Sequence, residues 1–208
     1  MIKVQTKGDC CWVTLARPDK ANALTEAMLE SLASAATDAA TNGAKVLILT
    51  GEGKVFSAGA DLEGMKAGLG LSPAWEDASA AIAAFPGLAI AALNGTLAGG
   101  AMGVALACDL RIAVPSANFF YPVMRLGYRP QPSDPARLAA LVGPARAKMI
   151  LLAAQKIDAE AALSWGLIDR ICAPEALTDT AMSLAEAALA ADPLHVRTLK
   201  RMTNGETP

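Results

Sequence analysis

Two segments of the chain combine residues that let the backbone come close to a ligand. In GEGKVFSAGADL (Gly51 to Leu62), Gly59 lies between Ala58 and Ala60, so no bulky side chain keeps the main chain from pointing amide N–H groups at a bound molecule. In NGTLAGGAMG (Asn94 to Gly103), the pair Gly99-Gly100 opens an expected helix, where N–H groups lack partners and the dipole favours negative charge. Two such donors aimed at one point would form an oxyanion hole, stabilising a carbonyl oxygen as it becomes an enolate. Spacing alone does not make them converge, and simple tight turning accounts equally well for either segment.

Both segments follow apolar runs. VLILT (Val46 to Thr50) and LAIAAL (Leu88 to Leu93) are continuous enough to predict strands buried on both faces, as in a parallel sheet. Ligands of α/β folds gather where such strands end and helices begin. Upstream, Ile2 to Lys7 and Cys11 to Ala16 predict two strands joined at Gly8-Asp9. Thr25 is an expected N-cap for a helix reaching about Thr41, with Met28, Leu29, Leu32, Ala35 and Ala36 at helical spacing and Gly43 as a stop. A helix ending near Phe85, a small-residue helix from about Gly100 to Ala107 and a strand LRIAV (Leu110 to Val114) continue the alternation, which indicates α/β. After Pro135 the pattern is helical except for LIDRIC (Leu167 to Cys172).

With 208 residues, 53% of them hydrophobic and 18% charged, the chain suits one globular domain. A net charge of -2 supplies no basic field, which argues against nucleic acid. Cys10 and Cys11 adjoin while Cys108 and Cys172 stand alone, so no metal-ligand spacing is present and structural, reduced thiols are expected. MIKVQTKGD lacks the charged-then-apolar pattern of a leader, and a cytoplasmic protein is expected. Ala78 to Cys108 carries no charge and is long enough for a membrane span, yet Pro86-Gly87, Asn94-Gly95 and Gly99-Gly100 interrupt it. A buried strand, turn and helix are expected there, and no membrane.

Four segments, in order, resemble the enoyl-CoA hydratase (crotonase) family: LARPDKANAL (Leu15 to Leu24), LTGEGKVFSAGADL (Leu49 to Leu62), NGTLAGGAMGVALACDLRIA (Asn94 to Ala113) and AEAALSWGLIDRI (Ala159 to Ile171). The resemblance implies a spiral of ββα units, with residues 1–173 as a core holding an acyl-CoA site and 174–208 as a shortened C-terminal helical segment. It implies a homotrimer or hexamer, an acyl-CoA thioester as ligand or substrate, and no cofactor apart from coenzyme A carried by that substrate. By the same resemblance the N–H groups of Ala60 and Gly100 are the oxyanion donors. Lys20, Ala21, Ala58, Asp61 and Leu62 fall where the family holds the pantetheine and adenine parts of coenzyme A. Family members continue beyond the segment that LHVRTLKRM (Leu194 to Met202) resembles, adding helices that cover the site, so a more open pocket or a differently built interface is expected here.

The pattern also departs from the family. Its hydratases position and activate water with two glutamates, where this sequence has Gly103 and Val123, and Gln131 stands where some isomerases and dehalogenases have an aspartate. Losing a positioned acid or base costs about 10²–10⁴ in rate, whereas one oxyanion donor supplies on the order of 10²–10³. The expected protein therefore polarises a thioester but is a poor ordinary hydratase. One reading is a lyase or isomerase with another proton-transfer group, Asp134 and Tyr128 foremost, then Tyr121 and Glu63. A second is a decarboxylase of malonyl-type thioesters, with Tyr121 or Tyr128 as proton donor. The third is a non-catalytic acyl-CoA-binding homologue. Against these stand ordinary roles: Asp134 before Pro135 as a turn residue, the tyrosines as core or rim residues, and Glu63 in solvent. His195 is expected on the surface, and Trp12, Trp75 and Trp165 in the core or an interface.

Overall fold

A computed structural model describes residues 1–207. The first strands, β1 (Ile2–Lys7) and β2 (Cys10–Leu15), pair antiparallel with Lys7 opposite Cys10. Gly8 and Asp9 alone make the turn, so β2 begins and ends one residue earlier than its sequence suggests. Helix α1 (Glu26–Thr41) is capped by Thr25, whose hydroxyl accepts from the Met28 N–H. Its buried face is Met28, Leu29, Leu32, Ala35, Ala36 and Ala39, an amphipathic stripe at the 3.6-residue period.

The chain then repeats one move. β3 (Val46–Gly51), β5 (Leu88–Leu93) and β7 (Leu110–Ala113) enter one sheet; each is followed by a short strand of a second sheet, β4 (Val55–Ser57), β6 (Thr96–Ala98) and β8 (Asn118–Phe120). Helices close each round: α2 (Leu62–Lys66) and α3 (Ala74–Ala83), then α4 (Ala101–Leu106), then α5 (Val123–Leu126) and α6 (Asp134–Leu151). β9 (Ile157–Asp158), α7 (Ala159–Trp165), β10 (Arg170–Ile171), α8 (Leu177–Ala190) and α9 (Pro193–Thr203) complete the chain. The six-stranded sheet runs β1-β2-β3-β5-β7-β10, parallel from β2 onward, and the four-stranded sheet runs β4-β6-β8-β9. This is the ββα spiral.

β3 and β5 lie at the centre of the larger sheet, and α8 packs across β3, β5 and β7, which is why these strands are apolar at successive positions rather than at alternate ones. The uncharged stretch from Ala78 to Cys108 divides among α3, β5, β6 and α4. Among the described residues, no helix is long and apolar enough to cross a membrane.

Polar groups fix the corner between the sheets. Asn22 is fully buried; its side-chain NH₂ donates to the Glu52 and Val55 carbonyls at 2.9 and 2.8 Å, and its side-chain carbonyl accepts from the Arg17 N–H at 2.9 Å. Asn94 works from the next corner, accepting from the Gly51 N–H and donating to the Gly53 carbonyl. Without partners these buried backbone groups would each cost about 1–3 kcal/mol. Asn22→Ala is therefore expected to lower the unfolding free energy by about 3 kcal/mol, seen as a lower urea midpoint with an unchanged m-value. An Asn22→Ala midpoint equal to the parent's would mean that water satisfies the corner unaided.

Candidate active site

The β3–β4 and β5–β6 units each end in a glycine turn, and the two turns touch through their backbones. A Cβ placed on Gly59 would stand 2.9 Å from the Ala98 carbonyl oxygen and 3.2 Å from the Gly99 Cα. Both glycines have positive φ, +96° and +57°, a region that other residues enter at a cost. Small residues in FSAGADL and TLAGGAMG thus serve an approach between two main chains.

Hydrogen bonding sorts the amides of these turns. Ala58 N–H donates to the Ala21 carbonyl, Gly59 N–H to the Ser57 hydroxyl, and Asp61 N–H to the Leu24 carbonyl; the Gly59 carbonyl accepts from Leu24. Gly99 N–H donates to the Phe120 carbonyl. Among the described residues, Ala60 N–H and Gly100 N–H have no partner. Both residues line a pocket of about 180 Å³, together with Ala58, Leu62, Met65, Gly70, Trp75, Gly99, Phe120, Tyr121, Pro122, Val123, Leu126, Tyr128, Arg129 and Gln131.

The residues expected to hold coenzyme A fall into three positions. Ala58 and Leu62 line the pocket, and Leu62 is exposed. Ala21 sits one bond behind it, accepting from Ala58 in a left-handed turn. Asp61 caps α2 through the Glu63 and Gly64 N–H groups and meets the Arg17 guanidinium at 2.7 Å. The Gly64 N–H, helped by Arg17, holds its carboxyl below the usual range. Lys20 is exposed on the turn Pro18–Lys20.

Asp134 is not a turn residue in solvent. It is the first residue of α6, 1% exposed, and its Oδ2 accepts from the Tyr121 hydroxyl at 2.8 Å. Its Oδ1 has no partner. Burial, the largest cause, lifts its carboxyl from 3.8 to about 6, and burial together with the Asp134 charge pushes the Tyr121 phenol up. Ser133 is tied to Glu76 of α3 through both its N–H and its hydroxyl, which fixes the start of α6. Tyr128 is a half-exposed wall of the pocket. Glu63 lies in solvent, paired with Lys66 at 2.9 Å, and His195 is exposed on α9.

Trp75 is more than a packing residue. Its ring lies where a Gly100 side chain would begin, its Nε1–H donates to the Leu69 carbonyl at 2.9 Å, and it lines the pocket. Only the small size of Gly100, read alongside an aromatic in the preceding helix, hints at this in the sequence. Burial pushes the Cys10 thiol up to about 11 and Cys108 up to about 12, so neither is a nucleophile near neutral pH. Among the described residues no three His, Cys, Asp or Glu side chains gather into a metal-binding group.

Known proteins share this architecture. The sequence pattern of the family described as Enoyl-CoA hydratase/isomerase matches residues 5–207. A probable enoyl-CoA hydratase of Mycobacterium tuberculosis is 35% identical over 194 residues, spanning 93% of this chain and 78% of that protein. The short-chain-enoyl-CoA hydratase of Clostridium acetobutylicum is 33% identical, spanning 97% of this chain and 80% of its own length. The crystal structure of an enoyl-CoA hydratase from Bacillus anthracis superposes with a TM-score of 0.90 at 32% identity, covering 98% of this chain and 83% of that one.

Two measurements test the geometry. Gly59→Ala forces a Cβ against backbone at φ +96°, and a loss of about 2 kcal/mol or more is expected on denaturation; a neutral result would mean the two turns separate freely. For Asp134, the folded state holds the proton more tightly than the unfolded chain, so stability falls as pH rises from 3.8 to about 6. Above that window the cost is on the order of 3 kcal/mol. Asp134→Asn is therefore expected to melt higher than the parent at pH 8, an advantage that fades as the pH falls to about 4. A variant less stable than the parent at pH 8 would contradict this.

Proposed function

The chain belongs to the enoyl-CoA hydratase/isomerase family, and on that premise we propose that its pocket binds an acyl-CoA thioester with the carbonyl oxygen between the Ala60 and Gly100 N–H groups. What supports this most is the selectivity of the hydrogen bonding. The neighbouring amides of Ala58, Gly59, Asp61 and Gly99 are all used within the protein, while Ala60 and Gly100 keep theirs free beside the cavity. An amide without a partner is costly unless a ligand or water completes it, and a polarised carbonyl would do so.

Coenzyme A would run over Lys20, Ala21, Ala58, Asp61 and Leu62, with the exposed Lys20 available to a phosphate. The reaction is a lyase or isomerase step that passes through a thioester enolate. Gly103 and Val123, at the positions that resemble those of the hydratase glutamates, offer neither acid nor base. A homotrimer or hexamer fits the exposed Met124, Leu126, Met149 and Leu152, apolar groups that a partner subunit would cover.

The experiment is a mass-spectrometric turnover screen against enoyl-, hydroxyacyl-, dienoyl- and malonyl-type CoA thioesters, with binding followed by tryptophan emission, since Trp75 lines the pocket. Ala60→Pro removes an N–H that bonds nothing in the protein. It is expected to stay folded and to lower kcat/KM by about 10²–10³. Equal turnover by a folded Ala60→Pro would remove this amide from the reading. Binding by the parent without turnover of any thioester would leave a holder of acyl-CoA in place of a catalyst.

A further inference from the structure

The Gly103 position is not empty space. A Cβ built there would lie 2.4 Å from Asp134 Oδ1, 2.9 Å from Oδ2 and 3.0 Å from Cγ. The carboxylate of Asp134, reaching from the start of α6, therefore fills the volume into which a side chain from α4 would grow. Gly103 is one helical turn beyond Gly100, whose N–H faces the pocket. The hydrogen on Gly103 and the carboxylate on Asp134 are two halves of one arrangement.

Tyr121 connects that carboxylate to the cavity. It lines the pocket, is 3% exposed, and its hydroxyl donates to Asp134 Oδ2. Asp134 Oδ1 is buried without a partner, and an unpaired polar atom of this kind in a fold otherwise well satisfied points to function. We propose that Tyr121 transfers the proton in this site and that Asp134 acts behind it, supplying from α6 the carboxylate that a glutamate on α4 supplies in the family's hydratases. This rests on the thioester and its enolate being the occupants of the pocket.

The step balances without another reactant. The C2–H bond of the bound thioester breaks, and its proton passes to the Tyr121 oxygen as the Tyr121 hydroxyl proton passes to Asp134 Oδ2. The C–H electron pair becomes the C1–C2 double bond, and the carbonyl π pair moves to the oxygen held by Ala60 and Gly100. Nothing is oxidised or reduced, and the reverse transfer returns a proton to carbon. Because burial lifts Asp134 to about 6, it takes a proton from the relay above that pH and holds one below it. The groups facing Asp134 are Tyr121 after β8, Glu76 of α3, which raises it further, and Arg137 of its own helix, which lowers it; α4 presents only Gly103.

Deuterium uptake from D₂O at C2 of butyryl-CoA reads this step directly, with emission titration for affinity in parallel. The parent is expected to exchange, with a rate that rises through about pH 6. Tyr121→Phe and Asp134→Asn should bind as the parent does but exchange about 10²–10⁴ more slowly, and Asp134→Asn should lose the rise with pH. Gly103→Glu alone sets two carboxylates in one volume and should lose exchange. Asp134→Gly should lose it too, whereas the double variant Gly103→Glu/Asp134→Gly should recover it. Parent-like exchange in folded Asp134→Asn, no exchange by a parent that binds, or a double variant no better than Asp134→Gly would each overturn the proposal. Failure of butyryl-CoA to bind the parent would instead bring down the thioester reading beneath it.

Discussion

The contact between the Gly59 and Gly99 turns governs the rest of the site. A Cβ at Gly59 would meet backbone from the neighbouring turn at 2.9 Å, a separation that side chains do not tolerate. The two turns belong to successive rounds of the spiral, so their distance is set by how β4 and β6 pair in the smaller sheet. The parallel order of the larger sheet, where β3 and β5 are neighbours, brings both units to the same edge. Two free amides can then face one cavity without any side chain being asked to reach.

Support for this contact comes from uncharged side chains as much as from packing. Asn22 and Asn94 occupy the corners where the chain leaves one sheet for the other, and Ser57 links Asn22 to the Gly59 N–H. Arg17 reaches from the same turn to Asp61, coupling the cap of α2 to the loop ahead of α1. Amides and a hydroxyl serve well here because they satisfy backbone groups without carrying a charge into the interior.

Much of the frame was legible in the sequence because its signals are local. Thr25, the stripe from Met28 to Ala36, and the runs at Val46 and Leu88 each announce an element through residues a few places apart, and the glycine turns were legible as turns. Asp134 was not. Within RPQPSDP it carries every mark of an exposed bend, and its burial depends on Gly103, thirty-one positions away, having no side chain. Trp75 was obscured in the same way, since its place against Gly100 follows from how α3 crosses α4. Departures at single positions were visible one at a time; that two of them share one volume is a fact about packing, which a linear reading does not carry.

That shared volume also orders the substitutions by which a chain could pass between two arrangements. With a side chain at 103 and an aspartate at 134, two carboxylates would contest a site that admits one, a burial far harder to tolerate than a void. With glycine at both, only a small cavity remains. Any stepwise route from a carboxylate on α4 to one on α6 therefore runs through the vacant intermediate, losing the old group before gaining the new. Chains in which the two positions are read together should show one carboxylate or none, and seldom both.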